Sequence, residues 1–305
     1  MSIERVASID IGTNTILLLI ADVEEGRVTP LFENETIARL GEGLQKNGSL
    51  LPEAMDRALH ALAQCMNHCR DWGAQKTYAV GTSALREAKN SFEFLERVKR
   101  ELDLSIEIIS GEEEAEFSFL AVAKDLCDPE RAMLVVDVGG GSTEFIFGKG
   151  GRIDHRVSLP LGSVRLTEQF LVSDPLRKEE YGEMEEVVKR WLLKIPHTIQ
   201  PERLVAVGGT ATTLASVEQG LSEFIVEKIH HFVIRKESLR RQVRLYQSKT
   251  LEERRKIPGL PPSRADVILA GATILLMAMD DLGMDSALIS SQGIRYGLIY
   301  KKLNL

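Results

Sequence analysis

The sequence predicts an α/β protein built from two related halves. Three observations carry that reading. Strand-like runs alternate with helix-spaced segments along the whole chain. An apolar run ending in Asp, followed by a glycine turn and a second apolar run, occurs twice, as "SIDIGTNTILLL" (8–19) and "VVDVGGGSTEF" (135–145). With 305 residues, the chain is also longer than one compact core usually holds.

Taken in order, residues 5–23 read as a hairpin turning at "GTNT", and after "EEG" (24–26) "RVTPLFE" supplies a third strand. "EAMDRALHALAQCMNHCRDW" (53–72) repeats apolar residues at helical spacing, and "KTYAVGTSALR" (76–86) reads as a strand ending in a polar turn. Asn90 with Glu93 predicts a capping box for a helix over 91–101. "SIEIIS" (105–110) reads as a strand, and Ser110 with Glu113 caps a helix reaching about Leu126. "CDPE" (127–130) marks a boundary, because the strand–glycine–strand pattern restarts at Ala132. The predicted domains are therefore 1–126 and 127–305, with the last helix free to pack back on the first domain. A third glycine turn, "GGTATTLA", follows the strand "RLVAV" (203–207). "SRADVILAGATILLMAMDDLG" (263–283) reads as a long buried helix, capped by Ser263 and stopped by Gly283, with Leu275, Leu276, Met277 and Met279 in the core.

Composition narrows the function classes. The chain is 44% hydrophobic and 27% charged, and no apolar run approaches the ~20 residues of a membrane span. "MSIERVASID" lacks a signal-peptide pattern, so the expectation is a cytoplasmic protein with no membrane partner. A net charge of −7 argues against non-specific nucleic-acid binding. The charge is uneven: from Arg235 to Arg264, ten Lys or Arg stand against three Glu, a local balance of about +7. Three cysteines do not suggest a disulfide framework. Cys65, His68 and Cys69 lie one helical turn apart but lack a fourth ligand, so reduced thiols on an amphipathic helix are the expectation.

The glycine turns point to chemistry. Glycine permits positive φ and close approach to the backbone, so a strand running into Gly-Gly-Gly-Ser-Thr exposes amide donors as an anion nest. Phosphate is its natural guest. A carboxylate beside phosphate repels it unless a cation lies between, so Asp137 reads as a Mg²⁺ ligand. An Asp-Gly pair alone also makes an ordinary hairpin turn. Two matching copies and the third turn favour phosphate.

These stretches resemble the superfamily of actin, sugar kinases and Hsp70-type chaperone ATPases, and within it the exopolyphosphatase and guanosine pentaphosphate phosphatase family. The matching segments are "DIGTNT" (10–15), "GTSALREAKN" (81–90), "ISGEEEA" (109–115) and "DVGGGSTEF" (137–145). "PLGSVRLTE" (160–168), "AVGGTATTLA" (206–215), "IPGLPPSRADVI" (257–268) and "SQGIRYGL" (291–298) continue them in the family's order, in its short two-domain form. The resemblance implies two duplicated actin-like, ribonuclease H-like domains with the active site in the cleft between them. It also implies Mg²⁺-dependent removal of terminal phosphate from inorganic polyphosphate, with guanosine pentaphosphate as the alternative substrate.

By the same resemblance Glu114 is the general base; helical spacing aligns it with Phe117 and Ala121, and partial burial tends to raise a carboxyl pKa. Asp137 holds the metal, with Glu144 as a second carboxylate near metal or water. Asp10 takes the equivalent place in the first copy, acting through water or a hydrogen bond. Gly12, Thr13 and Asn14 form the first phosphate turn, Gly139, Gly140, Gly141, Ser142 and Thr143 the second, and Gly208, Gly209 and Thr210 the third. Arg86 neutralises phosphate bidentately. Mn²⁺ in place of Mg²⁺ and a homodimer stay open, as do an ATP-dependent phosphotransferase and a non-catalytic sensor of polyphosphate or guanosine tetraphosphate.

Overall fold

The structure, a computed structural model, describes residues 3–126, 128 and 130–305; Cys127 and Pro129, in the expected boundary segment, lie outside them. The chain divides into two units, Met1–Ala121 with Ile294–Leu305, and Val122–Gly293.

The first unit is built on five strands: β1 (Glu4–Ile11), β2 (Thr15–Glu24), β3 (Arg27–Ile37), β4 (Lys76–Gly81) and β5 (Glu107–Ile108). Their order is β3-β2-β1-β4-β5, with β1 antiparallel to β2 and parallel to β4. The run "TILLLIA" has no alternation because β2 is covered on both faces. Ile16, Leu18 and Ile20 join the core under helices Pro52–Asp71 and Ser91–Leu102. Leu19 and Ala21 point the other way, onto Tyr296 and Ile299 of the helix Ile294–Lys302.

The second unit repeats the plan with β6 (Met133–Val138), β7 (Thr143–Lys149), β8 (Arg152–Leu159), β9 (Arg203–Val207), β10 (Val233–Arg235) and β11 (Ser286–Ile289). Read from the β8 edge, the order is β8-β7-β6-β9-β11-β10, the arrangement of the first sheet with one strand added. Helix Ile268–Asp281 is buried nearly all round; Leu275, Leu276 and Met279 are core, and Met277 packs against it.

Several local expectations shift. The strand expected over 105–110 shortens to β5, and β4 ends at Gly81, where Ser83–Glu87 turns helical. Asn90 does not cap its helix: its side chain bridges to Leu50, accepting the amide at 2.8 Å and donating to the carbonyl at 3.1 Å. The Ser110–Glu113 box forms, with reciprocal bonds of 3.1 and 2.8 Å. Ser263 is not a cap either, because a short 3₁₀ turn (Pro262–Arg264) intervenes and the helix starts at Ile268. Cys65 and Cys69 are core residues, and burial pushes the Cys65 thiol up to about 12. Their neighbour His68 packs on the Phe32 ring at 4.7 Å. Among the described residues, no helix is long and apolar enough to cross a membrane.

Candidate active site

In the first unit, β1 delivers Asp10, 8% exposed, to the mouth of the hairpin. Gly12 donates to the Thr15 carbonyl at 2.9 Å, which closes the turn. The turn is held from behind, since the Gly41 amide donates to the Thr13 carbonyl and the Arg39 amide to the Asn14 carbonyl, both at 2.9 Å. Thr13 Oγ1 and both side-chain polar atoms of Asn14 are buried without a hydrogen-bond partner. Such groups cost about 1–3 kcal/mol each unless something satisfies them, which marks a ligand-binding turn.

Glu114 lies in the first turn of the helix Gly111–Leu126 and is 6% exposed. Arg86 Nη1 donates to Glu114 Oε2 at 2.9 Å and to the Ile109 carbonyl at 2.9 Å. The expected burial of Glu114 is present. Arg86 was expected on phosphate, and the structure places this nitrogen on the carboxylate instead. The pair spans 28 residues, a relation that no local pattern reveals.

In the second unit, Asp137 and Glu144 stand directly opposite in the β6–β7 ladder, 8% and 0% exposed. Like charges at directly opposed positions repel. Burial strengthens the repulsion, and a hard divalent cation that accepts both carboxylates relieves it. The donor set therefore fits Mg²⁺. The first hairpin has the same register, but Leu17 stands opposite Asp10, so only the second copy carries two carboxylates. Glu144 Oε1 accepts from Ser158 Oγ at 2.7 Å.

The turn between β6 and β7 is braced on its carbonyl side. Gly139 accepts from the Ser163 amide, Gly140 from the Val164 and Arg165 amides, and Gly141 from Arg165 Nε at 2.7 Å. Among the described residues, no acceptor takes the Gly140 and Gly141 amides, so the donor edge is available to an anion. A Cβ on Gly162 would come 2.1 Å from the Gly140 carbonyl oxygen, so glycine alone permits this bracing. Ser142 is buried at the end of the turn. Thr143 is fully buried and donates its hydroxyl to the Leu161 carbonyl, so it anchors the turn instead of binding phosphate.

The third turn is a helix N-terminus, Gly208–Gln219, not a hairpin. Gly208 has φ +85°, and a Cβ there would lie 2.7 Å from Asp137 Oδ1, so this turn abuts the carboxylate. Thr210 packs against Gly271. Arg264, 7% exposed, lies over Gly209, and a Cβ there would meet its guanidinium at 2.2 Å. Sequence reasoning assigned no role to Arg165 and counted Arg264 only as the end of the basic stretch 235–264, although both lie in quoted motifs. What singles them out, contact with a glycine turn, exists only in three dimensions.

That fold and these turns define the class, an actin-like, two-domain protein with phosphate-binding turns. A family model, the Ppx/GppA phosphatase family, matches residues 19–305, and the chain belongs to that family. It is 32% identical to the Mycobacterium tuberculosis protein named "Exopolyphosphatase 2", over 98% of both chains. It is 33% identical to a Fusobacterium nucleatum "Bifunctional 3-dehydroquinate synthase/phosphatase", spanning 96% of this chain but 46% of that one, less than half its length. Among solved structures, the Aquifex aeolicus Ppx/GppA family member superposes with TM-score 0.84 at 36% identity, covering 99% and 98% of the two chains. An exopolyphosphatase from Cytophaga hutchinsonii gives TM-score 0.91 at 29% identity, again over 99% and 98%.

Proposed function

We propose that this chain is a cytoplasmic exopolyphosphatase, releasing terminal orthophosphate from inorganic polyphosphate by Mg²⁺-dependent hydrolysis. The observation that carries the reading is the opposed, buried Asp137–Glu144 pair behind a glycine turn with available amides. Asp137 and Glu144 would hold Mg²⁺, Asp10 would act through water or a hydrogen bond, and the bound ion supplies charge neutralisation at the transferred phosphoryl group. The amides of Gly140 and Gly141 bind phosphate oxygens, as do Thr13 and Asn14, whose buried side chains need partners. Glu114 takes the proton of the attacking water, and Arg86 fixes the direction in which its carboxylate points. The terminal anhydride P–O bond breaks, and the shortened chain leaves with the bridging oxygen. The full-length match to a protein named as an exopolyphosphatase supports polyphosphate as the substrate.

The test is orthophosphate release from polyphosphate, guanosine pentaphosphate and ATP side by side, with and without Mg²⁺, together with ADP phosphorylation. The reading expects Mg²⁺-dependent release from polyphosphate. Release from guanosine pentaphosphate alone would move the substrate assignment, ADP phosphorylation would make the chain a phosphotransferase, and binding without turnover would make it a sensor.

A further inference from the structure

Four residues of the second unit gather where the chain changes units. The chain enters that unit after Ala121, inside the helix Gly111–Leu126, and leaves it after Gly293. Asp125 lies in the last turn of the entering helix, and Ser291 lies two residues before the exit. His230 stands between them. Its Nε2 is 3.3 Å from Asp125 Oδ1, and its Nδ1 accepts the Ser291 amide at 3.2 Å. His231 Nε2 is 2.8 Å from the other carboxylate oxygen, and the two imidazoles stack with centroids 3.9 Å apart. His231 adopts a left-handed backbone, φ +63°, with its amide donated to the Ile289 carbonyl at 2.8 Å. Non-glycine residues hold that conformation only where their surroundings impose it.

Two imidazoles and a carboxylate, with ligand atoms within 4.8 Å of one another, also have the makings of a transition-metal site. The Ser291 bond decides against it. A ring nitrogen that accepts an amide proton carries none itself, so the His230 proton is on Nε2, the atom a metal would need. A proton, not a metal, bridges His230 to Asp125. Burial disfavours the Asp125 charge, yet the bonds from both imidazoles outweigh it and hold the carboxyl below its ordinary range. Among the described residues, the titratable groups bonded to Asp125 are those two imidazoles.

We propose that His230 is a positioning residue that ties the entering helix to the exit segment and so fixes the helix whose first turn carries Glu114. The assignment to catalysis rests on Glu114 being the base. The link itself does not.

The link is tested without reference to activity by hydrogen exchange of the Ser291 amide in the full chain, wild type against His230→Gln. The Ser290 amide, bonded to the Ala206 carbonyl at 3.0 Å, is the internal control. Protection of Ser291 should fall roughly fivefold in the variant, the worth of one net hydrogen bond, while Ser290 holds. His230→Gln reaches Asp125 but not Ser291, so the fall reports the Ser291 bond alone. Ser291 protection that ignores the substitution would overturn the link, as would one-to-one binding of Zn²⁺ alone that His231→Ala abolishes. The catalytic part is read separately. Asp125→Asn should lower kcat at least about threefold with KM for polyphosphate unchanged, and an unchanged kcat would overturn it. A wild-type protein that releases no phosphate would sink the functional reading alone, and Ser291 exchange would still decide the link.

Discussion

Asp137 is held by its neighbours more than by its own strand. It faces Glu144 across the ladder and touches the Gly208 turn, so the site is already shaped around it. Asp137→Asn keeps that shape and removes half of the charge that attracts a cation. Activity should fall, and raising Mg²⁺ should recover part of it; a Mg²⁺ titration of phosphate release checks this, and no recovery would remove Asp137 as a direct ligand. At this scale the sequence was legible where residue type and local spacing suffice. Asp137, Glu144 and the glycines announce themselves through their order along the chain. The Arg86–Glu114 pair and the Ser158–Glu144 bond do not, because each joins residues 28 or 14 positions apart. Thr143 shows the converse failure: a hydroxyl in a phosphate motif that burial has committed to Leu161.

Among the elements, the two hairpins make the duplication physical, with Asp10 opposite Leu17 and Asp137 opposite Glu144 in the same register. That equivalence was readable because both copies carry the same run of strand, Asp and glycine. The helix starts were read less well. Asn90 and Ser263 fit capping patterns, but Asn90 is drawn to Leu50 and a 3₁₀ turn delays the helix after Ser263. The sequence left the last helix free to pack back on the first domain, but the seat of the helix Ile294–Lys302 on the Glu114 helix could not be read, since it depends on Gly297. A Cβ there would lie 1.9 Å from the Phe117 carbonyl oxygen, an atom of backbone that cannot swing away. Gly297→Ala should therefore destabilise the first unit by about 1–3 kcal/mol, the usual cost of overpacking. A shift of the urea midpoint checks it, and an unchanged midpoint would mean that the two helices separate freely.

For the whole molecule, two consequences of charge can be measured. Cys65 titrates at about 12 when folded against an ordinary 9.0, because burial disfavours the thiolate. The folded state thus keeps a proton that the unfolded chain loses. This contribution is fully present below about pH 9 and is lost at ~1.4 kcal/mol per pH unit between 9 and 12. Tyr181, also raised to about 12 by burial, adds a decline above its ordinary 10.0. Thermal midpoints should hold from pH 7 to 9 and then drop, and Cys65→Ala should flatten the first part of the drop.

The second consequence concerns the basic stretch 235–264, which is less available than its sequence suggests. Arg240 is bound to Asp280 and Glu237, Arg241 to Glu218, and Lys236 to Asp280 and Asp285, while Arg254 is buried on the Tyr246 carbonyl. Among the described residues, Arg235, Arg244 and Lys256 carry no ion pair, which makes them the candidates for distal polyphosphate units. Neutralising these three should raise KM for long chains and spare short ones, with a salt dependence set by screening over ~8 Å. Equal effects on both lengths would place the long-chain path elsewhere.

The most direct test of the central claim compares Glu114→Gln with the wild type for orthophosphate release and for polyphosphate binding, both in Mg²⁺. The substitution preserves shape and removes the base, so turnover should fall ~10²–10⁴-fold while the dissociation constant for polyphosphate stays within about threefold. A variant that keeps more than about half of the wild-type turnover would contradict hydrolysis by a water that Glu114 activates.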